Sequence, residues 1–340
     1  MSRIKRLAER QNANGGPPLG AGHALCQGCG IPLIVRTVLN SIPGKAVVCN
    51  ATGCLEVATS RFPMTAWNVP WMHQAFENAA ASASGVEAAY RALKRRGRLP
   101  VDEEITIVAF AGDGGTYDIG IQALSGALER GHRFLFVCYD NGAYMNTGIQ
   151  RSGATPFGAN TTTSPTGKVS LGKLQQRKDL TAIAAAHHIP YVGQAAGTHW
   201  QDLSLKVERA VASGGAAFLN VLSDCPVGWG HESRDTFRLM NAAVDSLFWP
   251  LYEVADGRYK LTYRPKQPLP IEEWLRGQTR FRHLLRPENA HVVEEIQQQV
   301  ERDWRDLLIR CGEPLDEKTG PETEAAPANG ALEPAAAPAG

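Results

Sequence analysis

At 340 residues, 43% hydrophobic and 20% charged, the chain can bury one large core or two modest ones, and its composition gives no sign of wholesale disorder. A formal net charge of +1 offers no footing for a polyanionic partner, so no nucleic acid is expected. No apolar run reaches membrane-spanning length and the basic start, Met1 to Gln11, has no apolar signal core behind it, so no membrane partner and a cytoplasmic location are expected.

Residues 1–20, with Arg3, Lys5, Arg6 and Arg10 ahead of an Asn/Gly/Pro run, read as an N-terminal arm. Gly22 to Gly30 is a small-residue loop carrying Cys26-x-x-Cys29, and a helix over Leu33 to Leu39 follows it. A short buried strand, Ala46 to Asn50, turns at Thr52-Gly53-Cys54, and a remote Cys225 stands before Pro226. Thiols in a cytosolic chain stay reduced, so clustered ones point to metal or redox chemistry. Four thiolates suit either zinc or an iron-sulfur cluster, and composition leaves both open. Cys49 and Cys138 sit in apolar strands and read as core thiols, and Cys311 falls in a C-terminal helix. Trp67, Trp71 and His73 read as packed aromatics and a satisfied histidine, leading into an alanine-rich helix from Gln74 to Leu93.

The pivot of the chain is Ile105 to Gly115. A continuous apolar run, Ile105 to Ala111, stops at Gly112-Asp113-Gly114-Gly115, and helical spacing resumes through Ile119, Ile121, Leu124 and Leu128. A second strand, Phe134 to Tyr139, ends at Asp140-Asn141-Gly142. Strand, turn, helix, strand makes a right-handed parallel unit, so Asp113 and Asn141 are expected at the same edge of the sheet. A carboxylate, an amide oxygen and a nearby carbonyl form half of a shell for a hard divalent cation, and the glycines admit a diphosphate.

After Asn141 more than thirty residues lack periodicity, which predicts a functional loop. Asn146, Thr147 and Gln150, leaving the same strand end, are the side chains expected to reach a ligand there. A second series follows: helix Leu180 to His187, strand Pro190 to Gly193, helix Gln201 to Ala212 and strand Ala216 to Leu222, the last emptying into Asp224-Cys225. His187-His188 reads as structural. Phe248 to Tyr263 predicts a hairpin closed at Asp256-Gly257, and Ile271 to Leu275 and Ala290 to Leu308 predict helices. The fold class is α/β, a mostly parallel sheet with helices on both faces. The expected divisions are 1–20 an arm, 21–264 the α/β domain, 265–311 a helical extension and 312–340 a mobile tail rich in Ala and Pro.

The Gly112-Asp113-Gly114 turn, with Asn141 twenty-eight residues after the Asp, resembles the diphosphate half-site of thiamine diphosphate enzymes. With Cys26-Gln-Gly-Cys29-Gly30, Thr65 to Trp71, Asp140 to Ser152 and Phe248 to Val254, the chain from about Gly22 to Leu285 resembles the beta subunits of 2-oxoacid:ferredoxin oxidoreductases, the pyruvate-oxidising members above all. The resemblance implies a thiamine diphosphate-binding fold, Mg²⁺ on Asp113, Asn141 and the Ala143 carbonyl, and a [4Fe-4S] cluster on Cys26, Cys29, Cys54 and Cys225. It implies a cofactor cleft of Cys54, Gly112, Asp113, Gly114, Gly115, Asn141, Gly142, Ala143, Tyr144, Met145 and Asn146, with Asn146 and Thr147 as the catalytic candidates. The reaction implied is 2-oxoacid, pyruvate first, plus coenzyme A to acyl-CoA, CO₂ and two electrons for ferredoxin. A branched-chain 2-oxoacid is the alternative substrate, and a zinc scaffold or a nonoxidative decarboxylase the alternative protein. An alpha subunit is expected to supply the pyrimidine-activating carboxylate, so Glu56 and Glu77 are not expected to, and gamma and delta subunits are implied as further partners.

Overall fold

The structure, a computed structural model, describes residues 16–315; most of the expected arm and nearly all of the expected tail lie outside the described residues. The alternation of the apolar runs builds one eight-stranded sheet. In chain order the strands are β1 (Lys45–Ala51), β2 (Trp71–Gln74), β3 (Ile105–Gly112), β4 (Leu135–Asp140), β5 (Tyr191–Ala196), β6 (Ala217–Leu222), β7 (Tyr252–Ala255) and β8 (Arg258–Leu261). They lie side by side as β2-β1-β3-β4-β6-β5-β7-β8, parallel from β2 to β5, with β7 and β8 antiparallel.

Successive residues of a strand face opposite sides. Cys49, Ala109, Ala111, Phe136 and Cys138 therefore enter one core, while Val48, Val108, Phe110 and Val137 enter the other. The first core is covered by α3 (Ala79–Arg95), α4 (Ile121–Glu129) and α5 (Leu180–Ala185), the second by α1 (Ile31–Ser41) and α6 (Trp200–Ala212). Phe136 and Phe218, directly paired in register, stack at 5.9 Å and join β4 to β6 on one face. The antiparallel edge is fixed by Glu253, which accepts from Tyr191 Oη at 2.7 Å and Arg209 Nη1 at 2.6 Å. α8 (Thr236–Asp245), α9 (Ile271–Arg276) and α10 (Ala290–Cys311) close over the first core with Trp274, Phe281, Ile296 and Trp304.

Three departures from the sequence reading have local causes. Trp71–Gln74 is a strand, with the helix starting at Ala79; four residues paired only to β1 are too few to show an alternation. Two short helices, α2 (Cys54–Thr59) and α7 (Pro226–Trp229), begin at the site cysteines and have no periodicity of their own. The helix after Asp113 opens with a π-type turn, Gly114–Asp118, before α4. The long loop is as expected: no helix or strand runs between Asp140 and Leu180. Among the described residues no helix is long and apolar enough to cross a membrane.

Candidate active site

A ligand of an open parallel sheet binds outside the carboxyl ends of its strands. Four neighbouring strands, β1, β3, β4 and β6, end here in Cys54, Asp113, Asn141 and Cys225, each one to three residues beyond the last strand residue. A shallow cleft of about 30 Å³ opens among them, lined by Cys54, Gly112, Asp113, Gly114, Gly115, Asn141, Ala143, Tyr144, Met145, Asn146 and Thr147. Every residue expected in the cofactor cleft borders it except Gly142. Thr52, Gly53, Phe76 and Tyr139 also line it. The carboxyl-edge rule would have found the first two, just beyond β1, and Phe76, just beyond β2. A larger cavity, about 260 Å³, lies under α10 and shares none of these residues.

Asp113 is fully buried. It accepts from Ser152 Oγ at 2.5 Å and from the Asn141 amide at 3.3 Å. Burial, and then the charge of Asp140, hold its carboxyl well above the usual range despite those bonds. The carboxamide oxygen of Asn141 stands 2.9 Å from Asp113 Oδ1 and 3.1 Å from the Ala143 carbonyl, so that three oxygens face one another. Rotating the amide would place a donor there. A cation satisfies the same three oxygens without rotation: in an octahedral magnesium shell of roughly 2.0–2.1 Å, adjacent oxygens are about 3.0 Å apart. The donor set therefore fits magnesium.

Behind it, Asp140 accepts from Tyr117 Oη at 2.6 Å, Arg177 Nη2 at 2.8 Å and the Gly142 amide at 3.1 Å, and Asn220 Nδ2 donates to Tyr117 Oη at 2.7 Å. This network sets the turn that aims Asn141. Tyr144 packs on Gly114 so tightly that a methyl group there would lie 2.3 Å from its ring, while Tyr144 Oη donates to the Gly114 carbonyl at 2.8 Å. Gly114→Ala is expected to cost about 1–3 kcal/mol, read as a lower melting temperature. Asn146 and Thr147 are exposed at the mouth, Thr147 Oγ1 donating to Gln150 Oε1 at 2.5 Å.

The loop carrying Ser152 is anchored from below by Lys173. Its ammonium, in a residue 1% exposed, donates to the Thr155 carbonyl at 2.5 Å and to those of Gly153 and Gln176 at 3.4 Å. Burial, then the charges of Arg151 and Arg177, push it down to about 8. Below that pH both folded and unfolded chains hold the proton, and the cost of burying it is at its full value. Above it the folded chain releases the proton first, so stability rises with pH until the unfolded lysine titrates near ~10.4. The melting temperature of the native chain relative to Lys173→Met should climb between pH 8 and 10; parallel melts showing a constant difference would contradict this.

Cys26 is exposed and Cys29, Cys54 and Cys225 are partly covered, all as free thiols. The Cys26–Cys29 loop is pinned beside the β6 turn by Ser233 Oγ donating to the Gln27 carbonyl at 2.9 Å and Thr236 Oγ1 to the Gly28 carbonyl at 2.7 Å. Cys225 Sγ accepts from the Gly228 amide at 3.2 Å. Burial pushes the thiols of Cys54 and Cys225 up, to about 12 and about 11, and Cys29 higher still. Each of these also feels the charge of others among the four: Cys54 that of Cys225 and Cys26, Cys29 that of Cys225 and Cys54, Cys225 that of Cys26. Four soft donors from three turns are a set whose chemistry suits an iron-sulfur group. Among the described residues, no group of three or more His, Cys, Asp or Glu is drawn together closely enough to hold a metal ion.

Trp67, Trp71 and His73 form a stacked row, Trp67 and Trp71 at 5.9 Å, outside the cleft. Neither Glu56 nor Glu77 lines it, Glu56 lying instead 3.8 Å from His73. His187 Nε2 meets Ser125 Oγ at 2.8 Å, and neither His187 nor His188 lines the cleft. Cys49 and Cys138 are core thiols.

A family model described as "Thiamine pyrophosphate enzyme, C-terminal TPP binding domain" matches residues 51–221, the span that carries the Asp113 and Asn141 turns. The chain is accordingly a thiamine diphosphate enzyme of the α/β type. It is 50% identical over 291 residues to "Pyruvate synthase subunit PorB" of Thermotoga maritima, covering 84% of this chain and 90% of that one. The PorB of Methanothermobacter thermautotrophicus is 50% identical over 278 residues, 82% and 94% of the two chains. "Ketoisovalerate oxidoreductase subunit VorB" of Pyrococcus abyssi is 40% identical over 289 residues, 84% and 91%. The chain belongs to the PorB family, the beta subunits of thiamine diphosphate-dependent 2-oxoacid:ferredoxin oxidoreductases. Its fold is shared with a solved 2-oxoglutarate:ferredoxin oxidoreductase from Magnetococcus marinus with 2-oxoglutarate, coenzyme A and succinyl-CoA bound, at TM-score 0.50 and 21% identity over 66% of this chain and 77% of that one.

Proposed function

We propose that the chain is the cofactor-binding subunit of a cytoplasmic pyruvate:ferredoxin oxidoreductase, which converts pyruvate, coenzyme A and oxidised ferredoxin to acetyl-CoA, CO₂ and reduced ferredoxin. The observation that carries this reading is that Asp113, Asn141, Cys54 and Cys225 all stand just beyond the carboxyl ends of four neighbouring parallel strands. Thiamine diphosphate, when bound, supplies a carbon nucleophile and an electron sink that no side chain can provide. The residues of this chain do the holding. Asp113, Asn141 and the Ala143 carbonyl would ligate Mg²⁺, which would supply the charge that neutralises a diphosphate, and the Gly114–Gly115 turn would let backbone approach it. Ser152, donating to Asp113 Oδ2, fixes which carboxylate oxygen faces the cation. Asn146 and Thr147, exposed at the mouth, would be the side chains that meet the substrate end of the cofactor. Cys26, Cys29, Cys54 and Cys225 would ligate a [4Fe-4S] cluster, which would supply a one-electron acceptor.

A cleft of about 30 Å³ cannot enclose the cofactor alone, and Asp113 is the one carboxylate among its lining residues. In keeping with this, the resemblance to the family implies that the carboxylate activating the pyrimidine ring, and most substrate contacts, come from an alpha subunit, with gamma and delta subunits completing the complex. Pyruvate is favoured because relatives named for pyruvate stand at 50% identity and the one named for ketoisovalerate at 40%. Assaying the assembled complex with pyruvate, 2-oxoisovalerate and 2-oxoglutarate tests this. The highest kcat/KM is expected for pyruvate, and a preference for 2-oxoisovalerate would reassign the substrate without touching the cofactor chemistry.

A further inference from the structure

Met145 belongs to both halves of the site. Its backbone lies in the turn that carries Asn141 and Ala143, and the residue borders the diphosphate cleft together with Asp113 and Cys54. Its thioether reaches the other way, onto the turn after β6. A methyl group built on Gly228 would lie 2.2 Å from Met145 Sδ, 2.7 Å from its Cε and 3.3 Å from Cys225 Sγ. The thioether of Met145 thus already occupies the position that any side chain at 228 would take, next to Cys225 Sγ. Gly228 is held there by its own amide, which donates to Cys225 Sγ.

A second tie runs beside the first. Trp229, four residues after Cys225 and 1% exposed, donates through Nε1 to the Asn141 carbonyl at 2.7 Å. The Arg280 guanidinium covers its ring at 4.5 Å. Helix α7 therefore clasps the metal-binding turn at two points, so the spacing between that turn and Cys225 is set by packing.

We propose that Met145 is a positioning residue for electron transfer: its thioether fills the space between the cofactor cleft and Cys225 and so sets the electronic contact between the two. This rests on the reading of the cleft as a thiamine diphosphate site and of the cysteines as cluster ligands. Met145 is neither oxidised nor reduced. Each turnover sends two electrons, singly, from the substrate carbon to the iron-sulfur group and on to two ferredoxins, CO₂ leaves, and the thiol proton of coenzyme A goes to solvent. A soft, polarizable, unbranched side chain suits a filled contact of this kind. Cys54 borders the same cleft, but it cannot be replaced without losing a ligand, whereas Met145 can.

The test uses the assembled complex under anaerobic conditions, native and with Met145→Leu, Met145→Ala or Gly228→Ala. Iron and sulfide should match the native values in all three, and the rates are compared at saturating thiamine diphosphate so that any change in its affinity does not enter. After rapid mixing with pyruvate in the absence of ferredoxin, the freeze-quenched EPR signal of the reduced cluster should appear about tenfold or more slowly in Met145→Ala and Gly228→Ala, as expected for a contact misplaced by an ångström. Met145→Leu, which keeps the volume, should recover most of the rate. Native rates in all three variants would overturn the proposal. So would loss of iron from Met145→Ala, which would make the thioether a support of the cysteine turn. A native complex without iron would instead remove the reading beneath it.

Discussion

Asp113→Asn should empty the cofactor cleft of a protein that remains folded. Affinity of the assembled complex for magnesium and thiamine diphosphate is expected to fall by about 100-fold or more, since even outer-sphere changes at metal sites cost 10–100-fold. The melting temperature in EDTA should be unchanged or higher. A fully buried carboxylate with no cation beside it is a cost to the folded chain, and its raised pKa, from burial and from Asp140, reports that cost. Asparagine keeps the shape and an oxygen for the Ser152 hydroxyl, and its amide can meet the Asn141 oxygen, now 2.9 Å from Asp113 Oδ1. The pH dependence follows the same sign. With its folded pKa raised, Asp113 favours folding fully below the unfolded value near ~3.9, and that contribution is lost as pH rises through the folded one. The metal-free variant should therefore lose less stability than the native chain between acid and neutral pH. Calorimetric titration with the cofactor, alongside melts in EDTA, checks both halves; native affinity in the variant would remove Asp113 from the metal site.

The parts of this site that were legible in the sequence are those written as local punctuation. Asp113 and Asn141 each end an apolar run at a glycine-bearing turn, and a strand-helix-strand unit puts both at one edge regardless of what else the chain does. The Asp256-Gly257 hairpin was legible for the same reason, both residues taking the positive φ that such a turn needs. The residues that orient Asp113 and Asn141 were not. Ser152 meets Asp113 across thirty-nine positions of a loop without periodicity, and Asp140, Tyr117, Arg177 and Asn220 converge from four separate elements. Hydroxyl, amide and guanidinium partners of that kind carry no spacing rule; they exist only once the sheet order is known. The short edge strand β2 and the helices α2 and α7 were hidden by length, since four to six residues cannot display a period.

Cys29→Ser should separate the two halves of the site. Iron and sulfide should drop to a small fraction of the native content, the EPR signal of the reduced cluster should vanish, and ferredoxin reduction should stop, because a serine oxygen is a poor match for iron held by soft thiolates. Thiamine diphosphate binding should survive. Its oxygen ligands stand on the turns after β3 and β4, whereas Cys29 comes from the loop before α1, joined to the site through Ser233 and Thr236. Nor should the metal-free chain suffer: burial first, and then Asp224, Cys225 and Cys54, hold Cys29 as a neutral thiol, and serine replaces it with another small neutral group. The native control carries equal weight. A brown complex with iron and sulfide, converted by this one substitution to a colourless complex that still binds thiamine diphosphate, is the expected pair of results. Stoichiometric zinc in the colourless native protein would instead make the four cysteines a structural staple and leave the electrons without an acceptor in this chain.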